Sequence, residues 1–367
     1  GNLCRCTGYA PILNAAIDAL AGPREDKFSA DEARISALLA DIRPDHCLHI
    51  AYCGRQYHAP LKMEELCALL SSQPDAVMFA GATDVGLWIT KQQQQIDSLV
   101  HVGRVAELQG IRVDRGSGLL EIGAAVTYSE AMETLLEHYP EMRPLLSRIG
   151  ALQVRNAGTI GGNIANGSPI GDMAPPLFVL GASLVLRSRQ GSRTVGIEDF
   201  YIEYGRQDLQ AGECLEKILL PLPSPGQVFR VYKLSKRFEQ DISAVCAAFL
   251  LELEAGTVRI ARICYGGMAG VPKRATRAEQ LLVGMNWNAE AAEQAAELLE
   301  QDFEPISDWR ASAGYRMRSA QNLLRRYWLE TAGGSACSLD TVRPGRCKMP
   351  TPPPPDPEQQ AGTACVH

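Results

Sequence analysis

The chain has 367 residues, of which 46% are hydrophobic and 21% are charged. At about 150 residues per domain, this length predicts two or three domains with cores of their own. Lys and Arg total 36 against 42 Asp and Glu, so the net charge of -6 argues against nucleic acid as a partner. No apolar run approaches the roughly 18 residues that span a bilayer, and neither membrane insertion nor secretion is expected.

The cysteines indicate a reducing compartment. Eleven of them are scattered along the chain without the spacing of a secreted disulfide scaffold. We therefore expect free thiols and a cytoplasmic protein. Because the chain opens at Gly1 on two closely spaced cysteines, we also expect an N-terminally truncated fragment of a longer protein.

The first 56 residues predict helices without a core. Pro11 begins a helix whose apolar residues recur at helical spacing up to Leu20. Residues 24–56 combine a charged stretch, a short amphipathic helix around 35–42 and Pro44, and they predict a linker.

Residues 57–225 predict a mixed domain of helices and strands. The pattern indicates a helix near 63–70, a strand ending at Gly81, a strand at 119–125 and a helix at 128–136. Residues 175–188 predict a helix or buried strand that runs into an exposed strand.

Residues 226–331 predict a separate α+β domain, with strands near 228–234, 244–253 and 258–265 followed by alanine-rich helices. Consecutive prolines then enforce extended geometry, and little apolar surface remains. We therefore expect residues 332–367 to be a disordered tail.

The strongest candidate site is the segment AGTIGGNIANGSPIGD at residues 157–172, which contains five glycines. Without side chains in the way, several backbone N-H groups can turn towards one anion, and Thr159, Asn163 and Ser168 add neutral donors. The segment therefore predicts a dinucleotide cradle that holds a pyrophosphate without lysine. The alternative is a flexible surface loop, which three interleaved isoleucines make less favoured.

A second loop of small residues, FAGATDV at 79–85, follows a predicted strand. Its backbone amides, together with Thr83 and Asp84, offer hydrogen bonds to a ligand. Taken alone, this loop is typical of an ordinary strand-to-helix turn. It becomes a candidate binding site because the segment at 157–172 is a second loop rich in small residues. The sequence contains no G-x-G-x-x-G, G-x-x-x-x-G-K-[ST], H-E-x-x-H or G-x-S-x-G motif. No motif therefore supports a Rossmann or hydrolase interpretation.

Two further segments carry candidate chemistry. Cys4 and Cys6 are close enough to bind one iron-sulfur cluster, but a 2Fe-2S centre needs four thiolates, so two ligands are expected before Gly1. The alternative is a pair of ordinary thiols. The segment KLSKRFEQD at 233–241 is favoured as a solvated turn, with a mobile loop beside a cofactor as the alternative.

Four of these segments, in this order, resemble the small FAD and iron-sulfur subunit of the xanthine dehydrogenase family of molybdenum hydroxylases. GNLCRCTGYAPIL is similar to the end of the helical 2Fe-2S domain, and FAGATDVG and AGTIGGNIANGSPIGD are similar to the two FAD loops. YKLSKRFEQDIS is similar to the start of the C-terminal flavoprotein domain. The resemblance covers roughly residues 1 to 330. The rest of the family's ferredoxin domain and any molybdopterin domain have no counterpart in this sequence.

The resemblance implies an α+β fold. A remnant of the all-α 2Fe-2S domain (1–23) and the linker (24–56) precede a two-subdomain FAD-binding domain of the vanillyl-alcohol-oxidase type (57–225). A smaller α+β flavoprotein C-terminal domain (226–331) and the tail (332–367) follow.

The resemblance also assigns site residues. Cys4 and Cys6 are the implied metal ligands, and Lys233 is the implied catalytic neighbour of the flavin ring. The implied FAD contacts are Phe79, Ala80, Gly81, Ala82, Thr83, Asp84, Val85, Ile149, Gly158, Thr159, Ile160, Gly161, Gly162, Asn163, Asp172, Leu215 and Lys233.

The activity so implied is electron transfer. Electrons would pass from the molybdenum centre of a molybdopterin-containing large subunit through 2Fe-2S clusters to FAD and then to NAD, within a hetero-oligomer. Xanthine is the leading substrate class because cluster and flavin domains share one chain. The alternatives are another molybdenum hydroxylase of the aldehyde oxidase or carbon monoxide dehydrogenase type, a non-catalytic assembly module, and a self-contained flavin oxidase, for which neither glycine-rich loop offers a His or Cys.

Overall fold

A computed structural model describes residue 6 and residues 8–22, 26–238 and 240–332. Cys4 and residues 333–367 of the predicted tail lie outside these residues. No helix in these ranges combines the length and the apolar character needed to cross a bilayer.

Two exposed helices come first, α1 (Ala10–Ala21) and α2 (Lys27–Asp41). Pro11 stands in the first turn of α1, and the Asp26 carboxylate caps α2 by accepting the N-H groups of Phe28 and Ser29. Neither helix has a buried residue. Their apolar stripes predict helices correctly, but within the described residues no core covers those stripes.

The first sheet has four strands in the order β1-β2-β4-β3 and carries two helices. The elements are β1 (Leu48–Tyr52), β2 (Arg55–Ala59), α3 (Met63–Ser72), β3 (Val77–Phe79), α4 (Val85–Thr90) and β4 (Ser98–His101). β1 pairs antiparallel with β2, and β4 lies parallel between β2 and β3. The predicted linker thus contains all of α2, all of β1 and the first two residues of β2, because β1 completes a hairpin that local composition does not reveal.

The second sheet has five strands in the order β5-β6-β11-β7-β8, all antiparallel. Its strands, with the small hairpin β9-β10, are β5 (Ile111–Asp114), β6 (Leu119–Gly123), β7 (Ser183–Ser188), β8 (Gly191–Gly196), β9 (Tyr201–Glu203), β10 (Arg206–Gln207) and β11 (Cys214–Pro221). Its helices are α5 (Tyr128–His138), α6 (Arg143–Leu146), α7 (Leu152–Ala157), α8 (Ile160–Ala165), α9 (Ala174–Val179) and α10 (Ile197–Phe200). The segment predicted as helix or strand resolves into buried α9 followed by β7.

The third sheet is an antiparallel meander covered by three helices. It comprises β12 (Gln227–Leu234), β13 (Val245–Glu254), β14 (Thr257–Gly266), β15 (Lys273–Arg274), α11 (Thr276–Leu282), α12 (Ala289–Asp302) and α13 (Ala313–Thr331). One face of β13 and β14 packs on these helices, while Cys246, Ala248 and Cys264 face the core of the preceding domain. Because strand side chains alternate between faces, this sheet joins the two domains.

Candidate functional site

The loop after β3 forms one wall of a cleft. The Phe79 carbonyl accepts the N-H of Val102 at 2.9 Å, and the Phe79 ring stacks on His101 at 5.1 Å. Burial, helped by the charge of Arg104, lowers the pKa of His101, which favours a neutral ring behind the loop. At the centre of the loop, Ala82 has φ +55°, an uncommon conformation for a residue with a side chain.

The loop between α7 and α8, together with the first turn of α8, forms the facing wall and is called loop 158–163 below. Thr159 Oγ1 caps α8 by accepting the Gly162 N-H at 2.9 Å, and the Ile160 N-H donates to the Val126 carbonyl at 3.1 Å. Asn163 Oδ1 accepts the Met173 N-H at 3.3 Å. The loop is therefore held by bonds at both ends and is not a loose surface segment.

The two loops touch each other through glycines. A Cβ on Gly81 would overlap the main chain of Ala157, and a Cβ on Gly158 would lie 3.3 Å from Thr83 Oγ1. A Cβ on Gly161 would likewise overlap Ala124. The sequence interpretation assigned these glycines to backbone approach towards a ligand. At Gly81 and Gly161 the close approach is to protein backbone, which fixes the spacing of the walls.

Between the loops lies a cleft of about 660 Å³, within the range of roughly 300–1,000 Å³ usual for cofactor sites. Fourteen of the implied FAD contacts line it: Phe79, Ala80, Gly81, Ala82, Thr83, Asp84, Val85, Ile149, Gly158, Thr159, Gly161, Gly162, Asn163 and Leu215. The structure thus brings both loops, the turn before α7 and strand β11 to one cavity.

The cleft is almost free of charge. Asp84 is the one charged side chain among its described lining residues, and the Asp84 carboxylate accepts the indole N-H of Trp88 at 3.1 Å. The polar side chains that remain are neutral. In the second loop the N-H groups of Gly158, Ile160, Gly162 and Asn163 donate within the protein, so Thr159 and Gly161 supply the backbone N-H groups that have no acceptor among the described residues. Such a surface suits a nucleotide pyrophosphate held by neutral donors between apolar walls.

Three of the implied contacts lie outside the cleft lining. Ile160 is fully buried in the core of the domain. Lys233 Nζ lies 2.5 Å from Asp172 Oδ2 and 3.0 Å from Ser243 Oγ, which also contacts Asp172 Oδ1 at 2.5 Å. With side-chain exposures of 2% for Lys233 and 11% for Asp172, the two residues form a buried ion pair between the domains. A direct role of Lys233 beside the flavin ring therefore stays a prediction.

The charged segment at 233–241 is anchored at its base. Arg148 is buried, and its guanidinium donates to the Lys233 carbonyl at 2.8 Å, to Ser235 Oγ at 2.9 Å and to the Phe238 carbonyl at 2.9 Å. The same guanidinium lies 4.9 Å from the centre of the Phe238 ring. Phe238 is nevertheless 68% exposed, and its neighbours Lys236 and Arg237 are exposed as well. The predicted solvated turn is therefore correct for residues 236–238 but wrong for Lys233, which is a buried residue of β12.

Several lining residues escaped the sequence interpretation: Trp88, Ala124, Tyr128, Asn166, Gln207 and Cys214. Tyr128 is buried, and its hydroxyl has no hydrogen-bond partner among the described residues. Burial, with the nearby charge of Asp172, raises the pKa of Tyr128 well above its usual value. The Thr127 capping box that starts α5 was a local signal for the position of Tyr128, but not for its neighbours.

The iron-sulfur prediction is not tested. Cys4 lies outside the described residues, and Cys6 is exposed just before α1. Among the residues that the structure describes, no three or more His, Cys, Asp or Glu side chains are grouped as a metal site.

Comparison with known proteins identifies the class of flavoprotein. Residues 51–223 match the family described as the FAD binding domain in molybdopterin dehydrogenase, and residues 230–331 match the CO dehydrogenase flavoprotein C-terminal domain. The chain therefore belongs to the FAD-binding subunits of the molybdenum hydroxylase family, and the α+β arrangement of an FAD-binding domain followed by a flavoprotein C-terminal domain is confirmed.

Individual relatives have different named substrates. The chain is 31% identical to the xanthine dehydrogenase FAD-binding subunit of Escherichia coli O157:H7, over 77% of this chain and 98% of the relative. It is 28% identical to the nicotinate dehydrogenase FAD-subunit of Eubacterium barkeri, over 75% and 95%. The solved CO dehydrogenase of Oligotropha carboxidovorans matches with a TM-score of 0.70 and 31% identity, over 76% and 96%.

Proposed function

We propose that the chain is the FAD-binding electron-transfer subunit of a xanthine dehydrogenase. The observation that carries this proposal is the convergence of loops 79–85 and 158–163 on one cleft, in which Asp84 is the one charged side chain among the described lining residues. Family membership supports FAD as its occupant. Bound FAD supplies the step between one-electron carriers and NAD, because a flavin exchanges electrons singly or as a pair.

The chain's own residues would bind and orient the nucleotide. Backbone N-H groups of both loops, with Thr83 and Asn163, would hold the pyrophosphate. Ile149 and Leu215, which are buried and apolar, would pack on the ring systems. Within this proposal, the Lys233–Asp172 ion pair fixes the position of the C-terminal domain against the FAD-binding domain.

The proposal includes a molybdopterin-containing large subunit as partner, because the matched family is described as the FAD binding domain in molybdopterin dehydrogenase and the similar relatives are named as FAD subunits. It also includes NAD as electron acceptor and a cytoplasmic location. The proposal includes a 2Fe-2S centre near Cys4 and Cys6 because the sequence resemblance implies one. FAD binding in the cleft does not depend on this centre.

The first test separates a flavin-binding subunit from an assembly module. The purified chain is titrated with FAD while flavin absorbance and fluorescence are followed, and the loaded chain is then assayed for NADH oxidation with an artificial electron acceptor. We expect one FAD per chain and measurable diaphorase activity. A chain that binds no FAD would contradict the proposal and favour the module.

The second test addresses the substrate. The full-length protein is reconstituted with its molybdenum subunit, and the complex is supplied with xanthine, nicotinate or carbon monoxide in separate reactions with NAD. Xanthine-dependent NADH formation is expected. The nicotinate and CO dehydrogenase relatives make those two substrates the specific competitors, and turnover of either instead of xanthine would reassign the enzyme within its family.

A further inference from the structure

Three aromatic side chains line the cleft, and they differ in what already covers them. The Phe79 ring stacks on His101 at 5.1 Å, and Tyr128 is only 4% exposed. Trp88, on α4, is half-buried, and in the described part of the chain no other ring and no cation packs on its indole. Trp88 therefore offers a ligand in the cleft an aromatic face that the protein does not use.

The Trp88 indole is held in place by Asp84. Asp84 stands at the N-cap position of α4, but its side chain makes no capping bond to the helix. Its carboxylate instead accepts the indole N-H at 3.1 Å. Residues four apart lie on the same face of a helix, so the bond joins neighbours and fixes the direction of the ring. A bond to the N-H edge leaves the face of the indole open.

This bond also explains a charge that the cleft would otherwise disfavour. Asp84 is the one charged side chain among the described lining residues. A carboxylate and a pyrophosphate repel each other because both are negative. Contact between the Asp84 carboxylate and the phosphates would therefore weaken binding. A carboxylate that bonds to Trp88 serves the site without touching the phosphates.

The size of the indole matches one of the two ring systems of FAD. Indole and adenine are both fused rings of five and six atoms, whereas the isoalloxazine has three fused rings. Trp88 belongs to the part of the domain built on the first sheet, while the aliphatic residues Ile149 and Leu215 belong to the part built on the second. Because FAD carries one ring system on each side of its pyrophosphate, Trp88 suits the adenine, and the aliphatic wall suits the isoalloxazine.

We propose that Trp88 stacks on the adenine ring of the bound dinucleotide and that Asp84 is a positioning residue that orients Trp88. The inference rests on the proposed function in taking FAD as the occupant, and it adds the residue that distinguishes FAD from flavin mononucleotide. Stacking of a base on an aromatic side chain is strong enough to set such a preference.

The first test measures binding of FAD, ADP and flavin mononucleotide, each alone, to the full FAD-free chain by calorimetry. In Trp88→Leu, the affinities for ADP and FAD should fall about 10-fold, and the affinity for flavin mononucleotide should not change. Unchanged binding of flavin mononucleotide also shows that the variant is folded. Trp309→Leu is the matched control, because Trp309 is 75% exposed and does not line the cleft, and it should change none of the three affinities.

A second test separates the charge of Asp84 from its hydrogen bond. Asp84→Asn removes the charge but keeps an acceptor oxygen for the indole N-H, so ADP should bind at least as tightly as to the unaltered chain. Asp84→Ala removes the acceptor, and the affinity for ADP should fall about five-fold. Equal losses in the two variants would show that the carboxylate does not act through Trp88.

Tryptophan fluorescence tests the stacking itself. The chain has four tryptophans, and the other three lie in the C-terminal domain outside the cleft lining. ADP should quench the emission of the unaltered chain. Trp88→Phe keeps an aromatic face and should still bind ADP, but the quenching should disappear. Quenching that persists in Trp88→Phe would overturn the inference.

The binding results also distinguish this inference from the proposed function. If the chain binds FAD and Trp88→Leu binds ADP as tightly as the unaltered chain, the inference fails and the proposed function stands. If Trp88→Leu loses affinity for flavin mononucleotide and not for ADP, the assignment to adenine is wrong. If the chain binds ADP through Trp88 but does not bind FAD, the inference stands and the proposed function fails. A chain that binds neither contradicts both.

Discussion

The flavin cleft and the junction between the two domains are built in opposite ways. In the cleft, glycines let main chains touch, and Asp84 is the one charged side chain among the described lining residues. At the junction, charges are buried: Lys233 pairs with Asp172, and the Arg148 guanidinium of the FAD-binding domain donates to the carbonyls of Lys233 and Phe238 in the C-terminal domain.

This difference determines how each region fails when it is altered. A side chain added to the cleft collides with backbone, which cannot move without opening the walls. A side chain removed at the junction leaves a charge buried without its partner. The cleft is therefore sensitive to volume, and the junction is sensitive to charge.

The largest effect is expected from Lys233→Met. Removal of one member of a buried ion pair costs about 3–5 kcal/mol of unfolding free energy, measured by denaturant unfolding of the FAD-free chain. Lys236→Met is the matched control, since Lys236 is exposed and, among the described residues, bonds to the Trp309 carbonyl alone. Its unfolding free energy should change by no more than about 0.5 kcal/mol.

A double variant sharpens this test. Lys233→Met with Asp172→Leu replaces both charges by apolar groups and should recover most of the loss. If Lys233→Met alone unfolds within about 1 kcal/mol of the unaltered chain, the pair does not stabilise the junction.

In the cleft, Gly81→Ala tests the contact between the loops. The added Cβ overlaps the Ala157 carbonyl, and such overpacking typically costs about 1–3 kcal/mol. Because the walls must separate, FAD affinity should fall by about 10- to 100-fold. Fluorescence titration measures this loss.

The control for Gly81→Ala is Gly86→Ala on the adjoining helix α4. Its Cβ would meet only Ala82 Cβ, at an ordinary 3.9 Å, so FAD affinity should not change. Equal FAD affinities for the two variants would show that the loops do not set the width of the cleft.

The C-terminal domain should lose stability in acid through Asp308. Burial opposes ionisation of this carboxyl, but hydrogen bonds from Ala311, Arg316 and Arg310 outweigh it and lower the pKa of Asp308 from 3.8 to about 2. Its stabilising effect is fully present above about pH 4 and is lost as the pH falls towards 2. Asp308→Asn should lose this part of the pH dependence in thermal melts between pH 5 and 2, and an unchanged slope would rule out the contribution of Asp308.

The smallest expected effect belongs to Tyr128→Phe. Removal of a buried hydroxyl that has no partner in the described structure should raise the unfolding free energy of the FAD-free chain by about 1 kcal/mol. Tyr201→Phe, which loses a hydrogen bond to the Ile164 carbonyl, should lower it by about 1 kcal/mol. If the unfolding free energy changed in the same direction in both variants, the Tyr128 hydroxyl would not be the unpaired one and the Tyr201 hydroxyl the hydrogen-bonded one.

The parts of the fold that the sequence predicts are those with a local signature. Strands β12 to β14 are long and apolar, and both glycine-rich loops stand out by composition. Strand β1 does not, because four of its five residues are exposed and its pairing with β2 determines its conformation.

In the candidate site, too, the sequence predicts the residues with a local signature and not those brought together by tertiary packing. Loop 79–85 and loop 158–163 could be proposed as partners, but the contact of Gly81 with Ala157 depends on tertiary packing. Gln207 and Cys214 reach the cleft from a hairpin and a strand start with no motif. The buried pair of Lys233 with Asp172 likewise joins residues from two domains, and spacing alone carries no information about it.

The most direct measurement is a crystal structure of the chain grown with FAD. We expect one FAD in the cleft, with its pyrophosphate within hydrogen-bonding distance of backbone N-H groups from both loop 79–85 and loop 158–163. FAD bound elsewhere on the chain, or held by only one of the two loops, would contradict the account.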